Sequence, residues 1–151
     1  MDAREETIRA ADGYAADGFL CSEAVLLALS ESMGVESELI PRIATGFAAG
    51  VARTGNVCGA LSGAVMGLGL RYGRDAPRTE PGRRPYWYSR WLAEAFEEAY
   101  GSVTCPGVLG LDLGDPDDYR RYTEKDMWAT TCRDVIKTAT GLAYDLLQRE
   151  K

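Results

Sequence analysis

The chain has 151 residues, of which 46% are apolar and 26% charged, with a net charge of −6 and no histidine. The length predicts a single helical domain, residues 1–151, that needs neither a disulfide nor a metal merely to fold. The negative charge argues against a nucleic acid or an anionic membrane as the main partner. The lack of histidine excludes Ser-His and Cys-His catalysis and any histidine-bearing metal site within the chain.

The first half of the sequence predicts helices separated by loops. Apolar side chains recur at helical spacing over residues 4–16, which predicts an amphipathic helix. Residues 22–33 are apolar on almost every face, so the helix predicted there should lie centrally. A shorter helical piece over 37–44 precedes a loop of small residues, 46–55, and a glycine-bearing helix is predicted over 56–72.

The second half begins with a predicted exposed loop, residues 74–85, which contains three prolines and four arginines. Helices are predicted over 86–100 and 131–149. Between them, residues 101–113 read as irregular, with room for one helical turn. Residues 115–122 read as acidic and turn-like, with Asp115 and Pro116 as a turn and helix start. We find no segment with the alternation of a strand.

These elements predict an all-α protein, a single compact bundle of five or six helices with those over 22–33 and 56–72 as its central pair. The longest run of apolar and small side chains, 57–70, has 14 residues. That is short of the ~20 needed to span a bilayer, so no membrane insertion is expected. Charged residues stand near the N-terminus where a signal peptide needs an apolar core, which favours a cytoplasmic protein.

A helix start is predicted beside each of the four cysteines, Cys21, Cys58, Cys105 and Cys132. The unpaired N–H groups and the dipole of a helix start stabilise a thiolate, so we predict a lowered pKa, above all for Cys58. In a cytoplasmic protein such residues are reduced, catalytic or metal-bound rather than part of a disulfide framework. Inert burial as small apolar side chains is the alternative.

The cysteine spacing leaves the chemistry open. The gaps are 37, 47 and 27 residues, without the C-x-x-C pair of a zinc ribbon or a thioredoxin-type site. Any site must therefore be assembled in three dimensions from separate segments. It could be one disulfide with a resolving thiol, two dithiols, or a four-thiolate cage for an iron–sulfur cluster or zinc.

Three glycines, Gly59, Gly63 and Gly67, recur at every fourth residue and form a bare stripe along the helix predicted over 56–72. We predict that this stripe lets a second helix approach closely and brings another cysteine near Cys58. Gly59 and Gly63 are therefore the predicted cofactor-binding residues. Ordinary close packing without a site is the alternative.

The cysteines and glycines together resemble the C_GCAxxG_C_C family of suspected redox-active proteins. Its hallmark is a lone cysteine, a C-G-A-x-x-G block and two more lone cysteines, which match Cys21, residues 58–63, Cys105 and Cys132. The resemblance covers about residues 10–147. It implies a redox role for the cysteines. The cysteine region is also similar to part of the split-Soret cytochromes, for which an iron–sulfur site has been proposed.

One loop departs from the family pattern. Ala48, Ala49, Val51 and Ala52 stand where family members frequently have glycine. The chain also lacks the C-x-x-C-H motif, so no haem is expected.

The resulting functional prediction is a redox-active protein whose four cysteines, at helix N-termini, carry out thiol–disulfide chemistry or electron transfer. One alternative is a metal-binding protein that holds an iron–sulfur cluster or, less favoured, zinc through the four thiolates. A second alternative is a helical scaffold with inert cysteines. The expected partner is a redox protein or a small-molecule oxidant, and a homo-oligomer is left open.

Five further residues are given ordinary roles. Trp87 and Trp91 are at helical spacing in an acidic protein, which favours a core or subunit interface over nucleic-acid stacking. Glu23 is predicted to complement the dipole of its helix, with proton transfer beside Cys21 as the alternative. Arg53 and Arg71 are predicted to face solvent.

Overall fold

The fold is all-α, as the sequence predicts. The computed structural model describes residues 1–77 and 84–149, and these contain no strand, only an isolated bridge between Val57 and Thr104. The helices are α1 (Ala3–Ala16), α2 (Cys21–Ser32), α3 (Ala48–Arg53), α4 (Gly59–Tyr72), α5 (Trp87–Tyr100), α6 (Cys105–Leu109), α7 (Pro116–Glu124) and α8 (Arg133–Arg149). A 3-10 segment (Arg42–Phe47) precedes α3, and a π-helical segment (Trp128–Cys132) leads into α8.

The long predicted helices are confirmed to within a few residues, but the described part holds eight helices rather than five or six. The difference comes mainly from short helices. Helix α7 begins at the helix start predicted at Asp115 and Pro116, where Asp115 caps it and the proline occupies its first position, and it continues through the segment 115–122 that was predicted to be turn-like. Helix α6 is the single turn anticipated within 101–113. The predicted loop over 74–85 lies partly outside the described residues.

The core forms where α2 packs against α1, α4 and α8. The most extensive pairing is between α2 and α4, which confirms them as the central pair. Helix α2 buries side chains on nearly all its faces, as its apolar sequence predicts. The largest fully buried apolar side chains are Val25, Leu26, Leu29, Leu68, Leu92, Phe96, Ile136 and Leu147.

The glycine stripe is what allows α2 and α4 to lie so close together. A β-carbon added to Gly63 would overlap the backbone carbonyl of Ser22, and one added to Gly67 would lie 2.6 Å from Cδ1 of Leu29. A β-carbon on Gly59 would overlap the sulfur of Cys21. The predicted close approach of a second helix that carries another cysteine is therefore confirmed, and that helix is α2.

An ion pair between α1 and α8 should make stability depend on pH. Arg133 donates two hydrogen bonds to the carboxylate of Asp12, and these hold the pKa of that carboxyl below its usual value. A lowered folded-state pKa stabilises the fold above the unfolded-state pKa of about 3.8, and this contribution is lost as the pH falls through the folded-state pKa.

We therefore expect the difference in Tm between the wild type and Asp12→Asn to be largest near neutral pH and to shrink as the pH falls below about 4. Thermal unfolding followed by circular dichroism over that range measures it. A difference that stays constant down to about pH 2 would contradict the assignment.

Candidate functional site

All four cysteines line one cavity of about 180 Å³. Packed protein interiors contain few voids larger than a water molecule, and an apolar cavity of about 150 Å³ is large enough to bind benzene. The space is partly open to solvent and is large enough to hold a small ligand. Each cysteine comes from a different segment of the chain, so the site exists only in the folded protein.

Three of the cysteines lie at helix starts, as predicted. Cys58 is the N-cap of α4, Cys21 is the first residue of α2 and Cys105 is the first residue of α6. Cys132 does not lie at a helix start, because the π-helical segment extends the helix upstream of it. The sequence predicts the start of this last helix too late by several residues.

Backbone hydrogen bonds hold two of the cysteines side by side. The N–H of Cys58 donates to the carbonyl of Val103 at 2.8 Å, and the N–H of Cys105 donates to the carbonyl of Asn56 at 2.9 Å. These two bonds form the bridge between the segment before α4 and the segment before α6. They set the spacing of Cys58 and Cys105 before any ligand is considered.

Burial raises the pKa of all four thiols. The pKa values of Cys58 and Cys105 rise to about 12 and that of Cys132 to about 11, and the pKa of Cys21 is also raised. The prediction of a lowered pKa for Cys58 is therefore wrong. The N–H groups of Ala60 and Leu61 do lower it, but removal from water and repulsion from a Cys21 thiolate outweigh them.

The rest of the cavity wall is mainly apolar and aromatic. Its other residues are Leu20, Ala48, Ala49, Arg53, Gly59, Ala60, Val108, Leu109, Leu113, Tyr119, Tyr122, Trp128 and Val135. Of the predicted cofactor-binding residues, Gly59 belongs to this wall, and Gly63 lies one turn further along α4, against α2.

Two tyrosines on α7 were missed by the sequence analysis. The hydroxyl of Tyr122 lies 3.3 Å from Sγ of Cys132, and Tyr119 stacks on Tyr122 with their ring centroids 6.1 Å apart. The Arg53 guanidinium lies 3.8 Å from the centroid of the Tyr119 ring. Arg53 is thus exposed, as predicted, yet it also contributes to the cavity wall. The spacing of the tyrosines is that of one helix face, a signal that was missed because the helix start predicted at Asp115 and Pro116 was not extended through Tyr122.

Glu23 has a structural role beside the cavity. Its carboxylate accepts a 2.8 Å hydrogen bond from the N–H of Leu20 and a 2.6 Å hydrogen bond from the hydroxyl of Thr45. It therefore stabilises the start of α2, in agreement with the dipole prediction. Trp87 and Trp91 pack on each other with ring centroids 4.6 Å apart and are not part of the cavity wall.

Helix α3, which forms part of the cavity wall, is wound left-handed. Residues 49–53 all have positive φ, between 56° and 67°, although only one of them is glycine. A left-handed conformation costs about 1–2 kcal/mol for each L-residue. Gly50 stands where a β-carbon would lie 2.7 Å from Cβ of Cys105, and the N–H of Ala49 acts on the Cys21 thiol. The strained backbone therefore lies directly against two cysteines, which is typical of functional sites.

The left-handed turn leads to a stability prediction. Ala52 has φ 56° and an exposed side chain, so Ala52→Gly should relieve strain and stabilise the protein by about 1 kcal/mol. Ala95→Gly is the matched control, because Ala95 lies in the right-handed helix α5, where glycine should destabilise by about 1 kcal/mol. Urea unfolding measures both. Equal effects at the two positions would contradict a left-handed conformation at residue 52.

No group of three or more cysteine, aspartate or glutamate side chains in residues 1–77 and 84–149 is arranged to hold a metal ion. Within the same ranges, every helix falls short of the length or the apolarity that crossing a bilayer requires.

The fold and the cavity define an all-α protein with four cysteines around one site. The family model described as "Putative redox-active protein (C_GCAxxG_C_C)" matches residues 19–146, and the chain belongs to this family. The resemblance drawn from the cysteine order is thereby confirmed. No curated protein and no solved structure matches the chain.

Proposed function

We propose that the protein transfers electrons by means of an iron–sulfur cluster held by the thiolates of Cys21, Cys58, Cys105 and Cys132. The observation that carries the proposal is the meeting of four thiols from four segments around one cavity of about 180 Å³. A scaffold protein has no need to gather four thiols from separate segments around one such space. The electron partner would be a redox protein or a small-molecule oxidant.

The donor set fits such a cluster. Four cysteine thiolates are the usual ligands of two-iron and four-iron clusters, which when bound take up and release electrons. Zinc fits less well, because four sulfurs must then lie about 2.3 Å from a single ion, and the thiols are not grouped for that. In a cluster each sulfur binds a particular iron atom, so the ligands lie further apart around a larger space.

The protein side of the site supports the same function. Apolar and aromatic walls bury Cys58 and Cys105, and hydrogen bonds to sulfur come from the backbone at Cys58 and from Tyr122 at Cys132. Solvent exclusion and hydrogen bonds to sulfur are two of the means by which proteins set the potential of an iron–sulfur site. Burial also keeps Cys58 and Cys105 away from external disulfides.

The test is to purify the protein without oxygen, record its visible spectrum and measure iron, sulfide and zinc per chain. We expect a brown protein with stoichiometric iron and sulfide. Stoichiometric zinc with no sulfide would mean that the four thiolates hold zinc instead of a cluster. A colourless protein without metal would contradict both forms of metal binding.

Thiol–disulfide chemistry is the second candidate, favoured by the position of Cys21 beside Gly59, the neighbour of Cys58. Two thiols would lose two electrons and two protons to an oxidant and form a Cys21–Cys58 disulfide. Peptide mapping under non-reducing conditions after mild oxidation detects this bond. If the protein holds no metal, forms no such bond and has unreactive thiols, the scaffold alternative is the one that remains.

A further inference from the structure

We infer that Tyr122 is a positioning residue that raises the reduction potential of the site by donating a hydrogen bond to the thiolate of Cys132. This inference rests on the proposed function and deepens it, because it names a residue outside the cysteine motif that would tune the electron transfer.

The geometry places the hydroxyl of Tyr122 against a single sulfur. Its oxygen lies 3.3 Å from Sγ of Cys132, within hydrogen-bonding distance for sulfur. Tyr122 is part of the cavity wall, so this contact is made inside the site rather than at the outer surface. In the described residues, Cys132 is the one cysteine that shares a hydrogen bond with another side chain.

The local fold holds Tyr122 in this position. Asp115 caps α7 by accepting a 3.0 Å hydrogen bond from the N–H of Asp118, and Pro116 begins the helix. Tyr119, one turn earlier, stacks on the Tyr122 ring with an interplanar angle of 22° and is itself covered by Arg53. The ring is thus supported by its own helix and by a stacked neighbour.

The direction of the effect follows from charge. A phenol hydroxyl can donate a hydrogen bond, whereas a thiolate can only accept one, so Tyr122 is the donor when Cys132 is a thiolate. Adding an electron to the site increases the negative charge on its sulfurs, so the same hydrogen bond becomes stronger on reduction. A donor that interacts better with the reduced state raises the potential.

The test compares the wild type with Tyr122→Phe, which removes the hydroxyl and keeps the ring. The anaerobically purified proteins are compared by redox titration. At a fixed ambient potential, the ratio of reduced to oxidised site should be about tenfold lower in Tyr122→Phe than in the wild type. For a one-electron couple this corresponds to a midpoint potential lower by about 59 mV. The iron content and helical circular dichroism should be unchanged. Tyr144→Phe, the same change on α8 outside the cavity wall, is the control and should leave the midpoint unchanged.

A second readout tests the hydrogen bond without the cluster. The infrared S–H stretching band of Cys132, isolated by subtracting the spectrum of Cys132→Ser after chelation of iron, should shift in Tyr122→Phe. Iron-loaded protein whose midpoint does not fall in Tyr122→Phe, or an S–H band that does not shift, overturns this inference alone. Absence of iron from the anaerobic wild type overturns the proposed function and the inferred tuning with it, whatever the infrared result.

Discussion

Replacing Gly63 with valine should force α2 and α4 apart and destabilise the protein by more than about 3 kcal/mol. A single β-carbon at this position would already overlap the backbone carbonyl of Ser22, and a backbone atom cannot rotate away as a side chain can. Ser22 is itself fully buried and donates a 2.7 Å hydrogen bond to the carbonyl of Ala44. Because Cys21 precedes Ser22, a displaced α2 should also carry one sulfur away from the cavity.

The matched control lies in the same helix. A β-carbon on Gly69 would meet only the hydroxyl of Tyr88 at 3.5 Å, an ordinary contact. Gly69→Ala should therefore stabilise α4 by about 1 kcal/mol through helix propensity. Urea unfolding and iron content are measured for both variants. The comparison distinguishes the loss of close helix packing at the glycine stripe from a general effect of replacing a glycine in α4. A Gly63→Val protein as stable as the wild type would show that the two helices are not packed as described.

Cys58→Ser should abolish retention of iron and sulfide while leaving the fold intact. Cys58 lies at the N-cap of α4, and the backbone bridge fixes its position next to Cys105 in the cavity wall. Serine is among the preferred N-cap residues, and the helix start should tolerate it. Iron and sulfide per chain, measured after anaerobic purification, should fall to background.

A control on the same helix makes this result specific. Ser62→Ala changes a side chain one turn further along α4, in the wall of a different groove, and should keep its full iron content. Circular dichroism should give the same helical signal for the wild type and both variants. Cys58→Ser protein that keeps full iron and sulfide would mean that the four cysteines do not act as one site.

Local sequence patterns were enough to predict the helical architecture around the site. The apolar periodicity of α2 and α8 and the glycine stripe of α4 are local patterns, and each specifies which face of a helix is buried. The order of the four cysteines was enough to indicate the family. Three of them lie at helix starts because capping preferences act over a few neighbouring residues.

The conformation of residues 49–53 and the role of α7 depend on contacts between segments far apart in the chain. In a sequence, glycine is the residue that indicates positive φ. Here alanine, valine and arginine adopt positive φ, because packing against Cys21 and Cys105 outweighs their local preference. Tyr122 could not be placed from its segment alone, because its partner, Cys132, is positioned by the π-helical segment.

The sign of the thiol pKa shifts was decided in the same way. A helix start lowers the pKa of a thiol through N–H groups within one turn, and at Cys58 these are the N–H groups of Ala60 and Leu61. Burial raises the pKa through every atom that replaces water around the sulfur, and those atoms come from segments far apart in the chain. The local pattern therefore predicted the helix-start positions of three of the four cysteines, whereas the assembled cavity determined the direction of their pKa shifts.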